Sequence, residues 1–250
     1  MEDKVVVITG ADNGIGLHMT ESLLEDGYRV AGFDLSGERL SVLAGTYPDR
    51  LCFYRCDVAD ADRVEEAVED VLGSWGEIDI LVNNACRAVF APFEQRDLEE
   101  TRGEFDVNYF GYCHTMRAVL PHMKARGRGI IHNVSSSVGL TGFPGISGYA
   151  STKGAIEALT RTVAMEVEPY GVTVNLMHPP LTNTRSAAPL GIPVQGMANP
   201  AVVGRKLASK IESTRPTITP DLQTAVGLFA TQHFPRLMGR LMAKMAEKAQ

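Results

Sequence analysis

The sequence predicts an α/β fold: one parallel, doubly wound sheet in a single domain, with helices on both faces. Three observations carry that expectation. Short β-branched-rich runs alternate with longer stretches of helical periodicity along most of the 250 residues. The runs are almost continuously apolar, as strands buried on both faces between helix layers must be. No Ser/Gly tract, repeat or low-complexity block divides the chain, so one domain over residues 1–250 is expected.

Taken in order, Val5–Thr9, Arg29–Phe33, Leu51–Arg55, Ile80–Asn83, Ile130–Ser135 and Val172–Met177 read as strands. Helical patterns lie between them: Leu17–Asp26, Ala61–Ser74, a stretch around Thr101–Ala125, and Tyr149–Tyr170. In the second of these, Val64, Val68, Val71 and Leu72 form one stripe. Arg215-Pro216-Thr217-Ile218 reads as a short last strand. Two regions break the alternation. Pro189, Gly191, Pro193, Gly196 and Pro200 stud a segment that reads as a loop or broken lid over 181–200. From Phe234 on, Phe234, Leu237, Met238, Leu241, Met242 and Met245 recur at helical spacing. Arg236, Arg240, Lys244 and Lys248 follow every fourth position beside them, giving an amphipathic basic helix over 234–250.

Composition excludes several classes. With 44% hydrophobic residues the chain can bury enough surface to offset its conformational entropy. A net charge of -6 and a pI near 5.5 argue against a nucleic-acid partner, which wants a basic face. No run reaches the roughly 18 apolar residues of a membrane span. Met1-Glu2-Asp3-Lys4 leads straight into Val5, without the basic start and longer apolar run of a signal peptide, so a cytoplasmic protein is expected. The four cysteines, Cys52, Cys56, Cys86 and Cys113, are too scattered for a disulfide framework and read as reduced thiols. None of the six histidines forms a metal-spaced set, so no metal is expected.

Chemistry enters where the first strand ends, in Thr9-Gly10-Ala11-Asp12-Asn13-Gly14-Ile15-Gly16. Gly10, Gly14 and Gly16 permit a tight turn and close backbone approach to a pyrophosphate, and the following helix offers free N–H groups and a partial positive charge. A glycine run alone is often only a turn; its place between a strand and a helix is what makes it specific. The second strand ends at Asp34, where a carboxylate can accept hydrogen bonds from an adenosine ribose and would repel a 2′-phosphate. NAD is therefore expected over NADP. A loop or cap aspartate is the plainer alternative for Asp34.

Tyr149 and Lys153 stand four apart on one helix face. An ammonium near a phenol stabilises the phenolate, so the Tyr149 pKa is expected to fall from about 10 towards working pH, which would make it a general base for an alcohol or, reversed, an acid for a carbonyl. The pair alone is common on surface helices. Ser135 and Ser136 end a buried strand at the carboxyl edge, where ligands bind in open α/β sheets.

Together these residues resemble the short-chain dehydrogenase/reductase family, over nearly the whole chain to about Met177. The family's glycine motif falls on Thr9, Gly10, Gly14, Ile15 and Gly16, its adenine-side pair on Asp57 and Val58, and its Asn-Asn-Ala-Gly motif on Asn83-Asn84-Ala85-Cys86. Its catalytic tetrad falls on Asn108, Ser136, Tyr149 and Lys153, the family spacing selecting Ser136 over Ser135. The resemblance implies that Tyr149 exchanges the hydroxyl proton and Ser136 holds the substrate oxygen. It further implies that Lys153 binds the nicotinamide ribose and depresses the Tyr149 pKa, and that Asn108 supports a proton-carrying water chain. Asn13, Asn84, Thr182 and Thr184 join the implied cofactor contacts.

Departures from the pattern matter. Cys86 replaces a glycine, leaving that backbone less freedom. Pro180 replaces another and removes an N–H. His178 reads as a core or loop histidine. The Asp-Gly-Gly ending of many relatives is missing, which bears on the homodimer or homotetramer that the resemblance implies. The tail could lie over the pocket, pack on a second subunit or touch a membrane surface; packing is the favoured expectation, since methionine stripes usually pack. The lid residues Leu181, Ala187, Ala188, Pro189, Leu190, Ile192, Pro193, Val194 and Met197, with Arg185 the only charge, favour an apolar secondary alcohol or ketone of steroid-like, terpenoid, aromatic or fatty type. Two alternatives stand beside this NAD-dependent oxidoreductase: an NADPH-dependent ketoreductase of the acyl-carrier-protein type, and a cofactor-sensing binding protein without turnover.

Overall fold

The computed structural model describes residues 4–190 and 192–247. Gly191 and Lys248 therefore lie outside the described residues, as does the side chain of Met245. Along the chain run β1 (Val5–Thr9), α1 (Gly14–Glu25), β2 (Arg29–Asp34), α2 (Glu38–Thr46), β3 (Leu51–Arg55), α3 (Ala61–Trp75) and β4 (Ile80–Asn83). Then come α4 (Leu98–Phe105), a π-helical turn (Asp106–Phe110), α5 (Gly111–Arg126), β5 (Gly129–Val134), α6 (Val138–Thr141), α7 (Ser147–Val167) and β6 (Val172–Met177). The chain closes with α8 (Pro200–Ala208), β7 (Thr217–Ile218), α9 (Leu222–His233) and α10 (Pro235–Glu247).

All seven strands are parallel, in the order β3-β2-β1-β4-β5-β6-β7. The order reverses between β1 and β4, so the loops leaving those two strands part there and open a crevice. Strand residues are buried on both faces because each face has its own helix layer. In β1, Val5 and Val7 pack with α3 and α5 residues such as Val68, Val71, Val119 and Met123. Val6 and Ile8 pack with Leu23 and Leu24 of α1 and Leu207 of α8 on the other side. Each such side chain contributes on the order of 1.5–3 kcal/mol of burial. This doubly wound α/β sheet is the fold class the sequence predicted.

Two differences have physical causes. The stretch around Thr101–Ala125 is not one helix: the π-helical turn interrupts it and carries Asn108 inward, where it is fully buried. Helices α2, α6, α8 and α9 stand where the sequence reading placed none. Two of them bury little: only Leu40 is buried in α2, and only Leu228 and Thr231 in α9, whereas α8 buries Val203, Gly204, Leu207 and Ala208 and packs on α1. The starts of α8 and α9 are nonetheless marked, by the Asn199 side chain accepting from Ala201 N before Pro200 and by Asp221 accepting from Thr224 N. As expected, residues 181–190 and 192–199 form a loop with two short 3-10 turns, Ala188–Leu190 and Val194–Gly196, stapled by a bridge between Thr182 and Ala198. No helix among the described residues is long and apolar enough to cross a membrane.

Candidate active site

The carboxyl ends of the strands open into a cavity of ≈ 1050 Å³. That is the upper end of ordinary ligand pockets and suits two ligands side by side.

At one end the glycine loop forms its wall. Gly10 has φ +65, and a Cβ there would sit 2.9 Å from Ala85 Cα. A Cβ on Gly16 would lie 2.2 Å from the Gly10 carbonyl oxygen, so the start of α1 presses directly on the loop. Asn13 makes no side-chain cap, leaving the first N–H groups of α1 without a side-chain acceptor. Asn84 fastens the loop from β4, donating through Nδ2 to the carbonyls of Thr9 and Gly10 at 3.0 Å each. Asp34 accepts from Asp12 N at 2.9 Å and Ser36 N at 3.2 Å, yet lines the cavity with lone pairs to spare. Asp12 has the purely structural job: buried, it accepts from Arg39 N and Leu40 N and caps α2. Asp57 and Val58 continue the wall, with Val58 O 2.9 Å from His114 Nδ1. Thr182 and Thr184 close over it, Thr184 lying against Gly14. Of the predicted cofactor residues, Gly16 alone is not on the cavity wall; its place is the packing just described.

The other end is built by α7 and the β5 terminus. Ser136, Tyr149 and Lys153 meet on one wall. Tyr149 is half-buried and lines the cavity. The expected fall in its pKa is not what the geometry gives. Burial raises it well above the ordinary tyrosine value, and the nearby Cys86 adds to this, while a hydrogen bond with Ser136 pulls the other way. The reason is where the ammonium points. Lys153 Nζ donates to Val134 O at 2.7 Å and to the Tyr112 hydroxyl at 3.3 Å, and stands 5.6 Å from the centre of the Tyr149 ring. Burial also lowers the pKa of Lys153 itself.

Ser135 and Ser136 part company here. Ser136 lies beside Tyr149, whereas Ser135 is buried near the carboxylate of Glu157 with its hydroxyl left without a hydrogen-bond partner among the described residues. Glu157 also sits 3.0 Å from His178 Nε2 and 3.2 Å from Arg161 Nη1. Although burial pushes Glu157 up, these partners hold it below the usual carboxylate range. His178 is thus a buried, paired histidine off the cavity wall. Asn108 does not line the cavity either. It accepts from Arg87 N at 2.7 Å and donates to Arg87 O at 2.8 Å and Thr152 Oγ1 at 3.0 Å, tying the β4 loop to α7. Cys86 is on the wall, and no described residue except glycine has a positive φ, so the exchange of glycine for cysteine leaves no backbone strain.

The sequence reading missed three supports. Tyr112 receives Lys153, Glu157 pairs with His178, and a buried Arg96–Glu104 ion pair braces α4 against Gly148, the residue before Tyr149. Only buried charge within helical patterns hinted at the last two.

Residues 4–192 match the family model described as short chain dehydrogenase. The chain belongs to the short-chain dehydrogenase family. It is 39% identical over 190 residues to 2-(R)-hydroxypropyl-CoM dehydrogenase of Xanthobacter autotrophicus, covering 72% of this chain and 75% of that one. It is 35% identical over 187 residues to the 3-oxoacyl-(acyl-carrier-protein) reductase FabG of Thermotoga maritima, covering 74% and 76%. The crystal structure of a short-chain dehydrogenase from Streptomyces avermitilis superposes with TM-score 0.83 at 30% identity, covering 100% of this chain and 99% of that one. Solved relatives at 28% and 27% identity carry NADH in one case and NADP in the other. A short-chain dehydrogenase of this kind is an oxidoreductase acting on CH–OH groups with a nicotinamide dinucleotide, and the cradle around Gly10 and Gly14 has the shape such a group requires.

Proposed function

We propose that the protein is an NAD-dependent dehydrogenase interconverting an apolar secondary alcohol and its ketone. The single observation that carries this reading is the shared cavity: Ser136, Tyr149 and Lys153 occupy one wall, and the glycine loop with Asp34 occupies another. Gly10, Asn13, Gly14 and Ile15 would hold the pyrophosphate, Asp34 the adenosine ribose, Asp57 and Val58 the adenine side, and Asn84, Lys153, Thr182 and Thr184 the nicotinamide half. When bound, the dinucleotide supplies hydride exchange at its nicotinamide ring.

The chain's own residues do the rest. Ser136 donates to the substrate oxygen and fixes it beside the Tyr149 hydroxyl. Tyr149 then gives its proton to a carbonyl, or takes one from an alcohol. Because burial keeps Tyr149 protonated in the folded protein, reduction starts from the form already present, and oxidation requires its proton to leave. Lys153, held by Val134 O and Tyr112, has a third N–H to place at the cofactor ribose. Asn108 acts as a brace that keeps the Arg87 backbone and α7 in register around the site, beside any water chain.

The substrate side supports the reading of an apolar molecule. Phe90, Phe143, Ile146, Leu190, Ile192 and Met242 line it, and Arg185 is exposed at its rim with no ion pair among the described residues. Burial, not ion pairing, would hold the body of the substrate. The kinship with an acyl-carrier-protein reductase favours a second reading, an NADPH-dependent ketoreductase. A panel of apolar alcohols, polyols and 3-oxoacyl thioesters, each assayed with both dinucleotides by reduced-cofactor absorbance, separates them. Fastest turnover of an apolar alcohol with NAD is expected. Preference for NADPH with a thioester would establish the second reading, and a polyol outrunning every apolar alcohol would end the first.

A further inference from the structure

Helix α10 has three stripes, and only one of them is packed. Met238, Gly239, Met242 and Ala243 face the protein; a Cβ on Gly239 would lie 3.2 Å from the Thr141 carbonyl oxygen of α6, and Met242 reaches the cavity wall. The expected methionine packing therefore holds for this stripe. It does not hold for the leucines. Leu237 is 57% exposed and Leu241 46%, one turn apart, and beside them Arg236, Arg240 and Lys244 form a third, exposed stripe. Helix α9 continues the apolar surface with Val226 and Phe229, and Phe234 at the junction is 59% exposed. These large side chains are largely exposed, with only the His233 ring lying 4.0 Å from that of Phe229, and they sit on two helices in contact.

We propose that this α9–α10 face is a membrane-docking surface that lays α10 in the interface of an anionic lipid bilayer. Leu237, Leu241 and Phe234 would enter the acyl boundary and Arg236, Arg240 and Lys244 would meet the headgroups. Charge decides the occupant. The chain carries -6 overall, yet the described charged side chains of α10 are all cationic, so an anionic surface attracts this face and repels the rest of the molecule. A second copy docked symmetrically would bring two such cationic stripes together, which opposes it. An exposed leucine stripe bordered by arginines is also the pattern of helices that lie in a bilayer interface. Since Met242 of the same helix lines the cavity, docking would set the mouth of the site beside the lipid.

The full-length protein is sedimented with vesicles of phosphatidylcholine alone and of phosphatidylcholine mixed with phosphatidylserine, at low and high salt. Binding to the mixed vesicles only, weakened by salt, is expected. Each cation near such a surface is worth about fivefold in affinity, so Arg236→Glu/Arg240→Glu/Lys244→Glu should lose about a hundredfold or more. Leu237→Ser/Leu241→Ser should weaken binding while leaving the circular dichroism melt unchanged. Wild-type protein that stays in the supernatant with the mixed vesicles, or binds both vesicle types alike, overturns the proposal. So does a charge-reversed variant that binds as well as wild type. Serine variants that turn a dimer into monomers, with vesicles ignored, would assign the face to a second copy. Vesicle binding is read without turnover, so its outcome is separate from the test of the catalytic reading.

Discussion

Arg96 and Glu104 are the most consequential charges outside the cavity. Both side chains are almost wholly buried, 2% and 0% exposed. Arg96 further donates from Nη1 to Val89 O at 2.9 Å and from Nε to Thr101 Oγ1 at 2.8 Å, and Glu104 accepts from Val89 N at 2.8 Å. Replacing Arg96 with methionine keeps the volume but strands a carboxylate in the interior. Removing one partner of such a pair costs about 3–5 kcal/mol. For a chain of this size that is roughly 2–4 °C per kcal/mol, or about 6–20 °C in the thermal midpoint. The pH dependence has a definite sign. Burial already raises the Glu104 pKa, and loss of Arg96 raises it further. A carboxyl with a folded-state pKa above its unfolded value stabilises at low pH and loses that contribution as pH rises through the folded value. The deficit of Arg96→Met against wild type, followed by circular dichroism, should therefore shrink as pH is lowered from about 7 to about 5. Arg96→Met/Glu104→Leu should recover most of the loss, because no charge remains unpaired. Turnover should fall in the single variant, since Glu104 abuts the residue before Tyr149. A loss below about 1 kcal/mol, or a deficit that widens in acid, would refute the reasoning.

Three further outcomes follow from the same structure. Asp34→Ser should improve the NADP KM by about tenfold or more (about 1.4 kcal/mol) and worsen that for NAD, measured by initial rates; unchanged preference would remove Asp34 from cofactor selection. Alcohol oxidation should quicken from neutral into alkaline pH while ketone reduction does not, because burial raises the Tyr149 pKa and oxidation needs its proton gone; a pH profile flat in both directions contradicts this. Asp221, whose pKa is lowered to about 2 by Lys206 and by the Thr224 backbone and hydroxyl at the start of α9, contributes stability that is present above about pH 4 and lost as pH falls towards 2. Asp221→Asn should flatten that part of the stability profile.

The sheet was legible because its strands are buried on both faces, so apolar runs such as Val5–Thr9 can hardly be anything but central strands. Helices with a strong apolar stripe were equally plain, α3 above all. Helices α2 and α9 were not, because their few buried side chains leave no period to find, and α8, with its Asn199-Pro200 start and buried Val203, Leu207 and Ala208, spans only nine residues, too few to repeat that period. At the site, spacing brought Tyr149 and Lys153 to one helix face but could not say which way the ammonium turns. That depends on the Val134 carbonyl and the Tyr112 hydroxyl, which come from elements remote in sequence. The Glu157–His178 pair is hidden for the same reason, one partner lying on α7 and the other just after β6. The tail's periodicity was plain, but which of its stripes packs depends on α6, which meets the face holding Gly239, so that Met238 and Met242 are half-buried and Leu237 and Leu241 stay outside.

The central claim is that the Tyr149 hydroxyl carries the proton, and Tyr149→Phe tests it with the ring and its packing kept. Equilibrium titration should find NAD bound with a dissociation constant close to wild type, while turnover of the best alcohol falls about 10²–10⁴-fold or more. A variant that binds NAD and turns over at the wild-type rate would contradict the claim outright and assign the proton to another group.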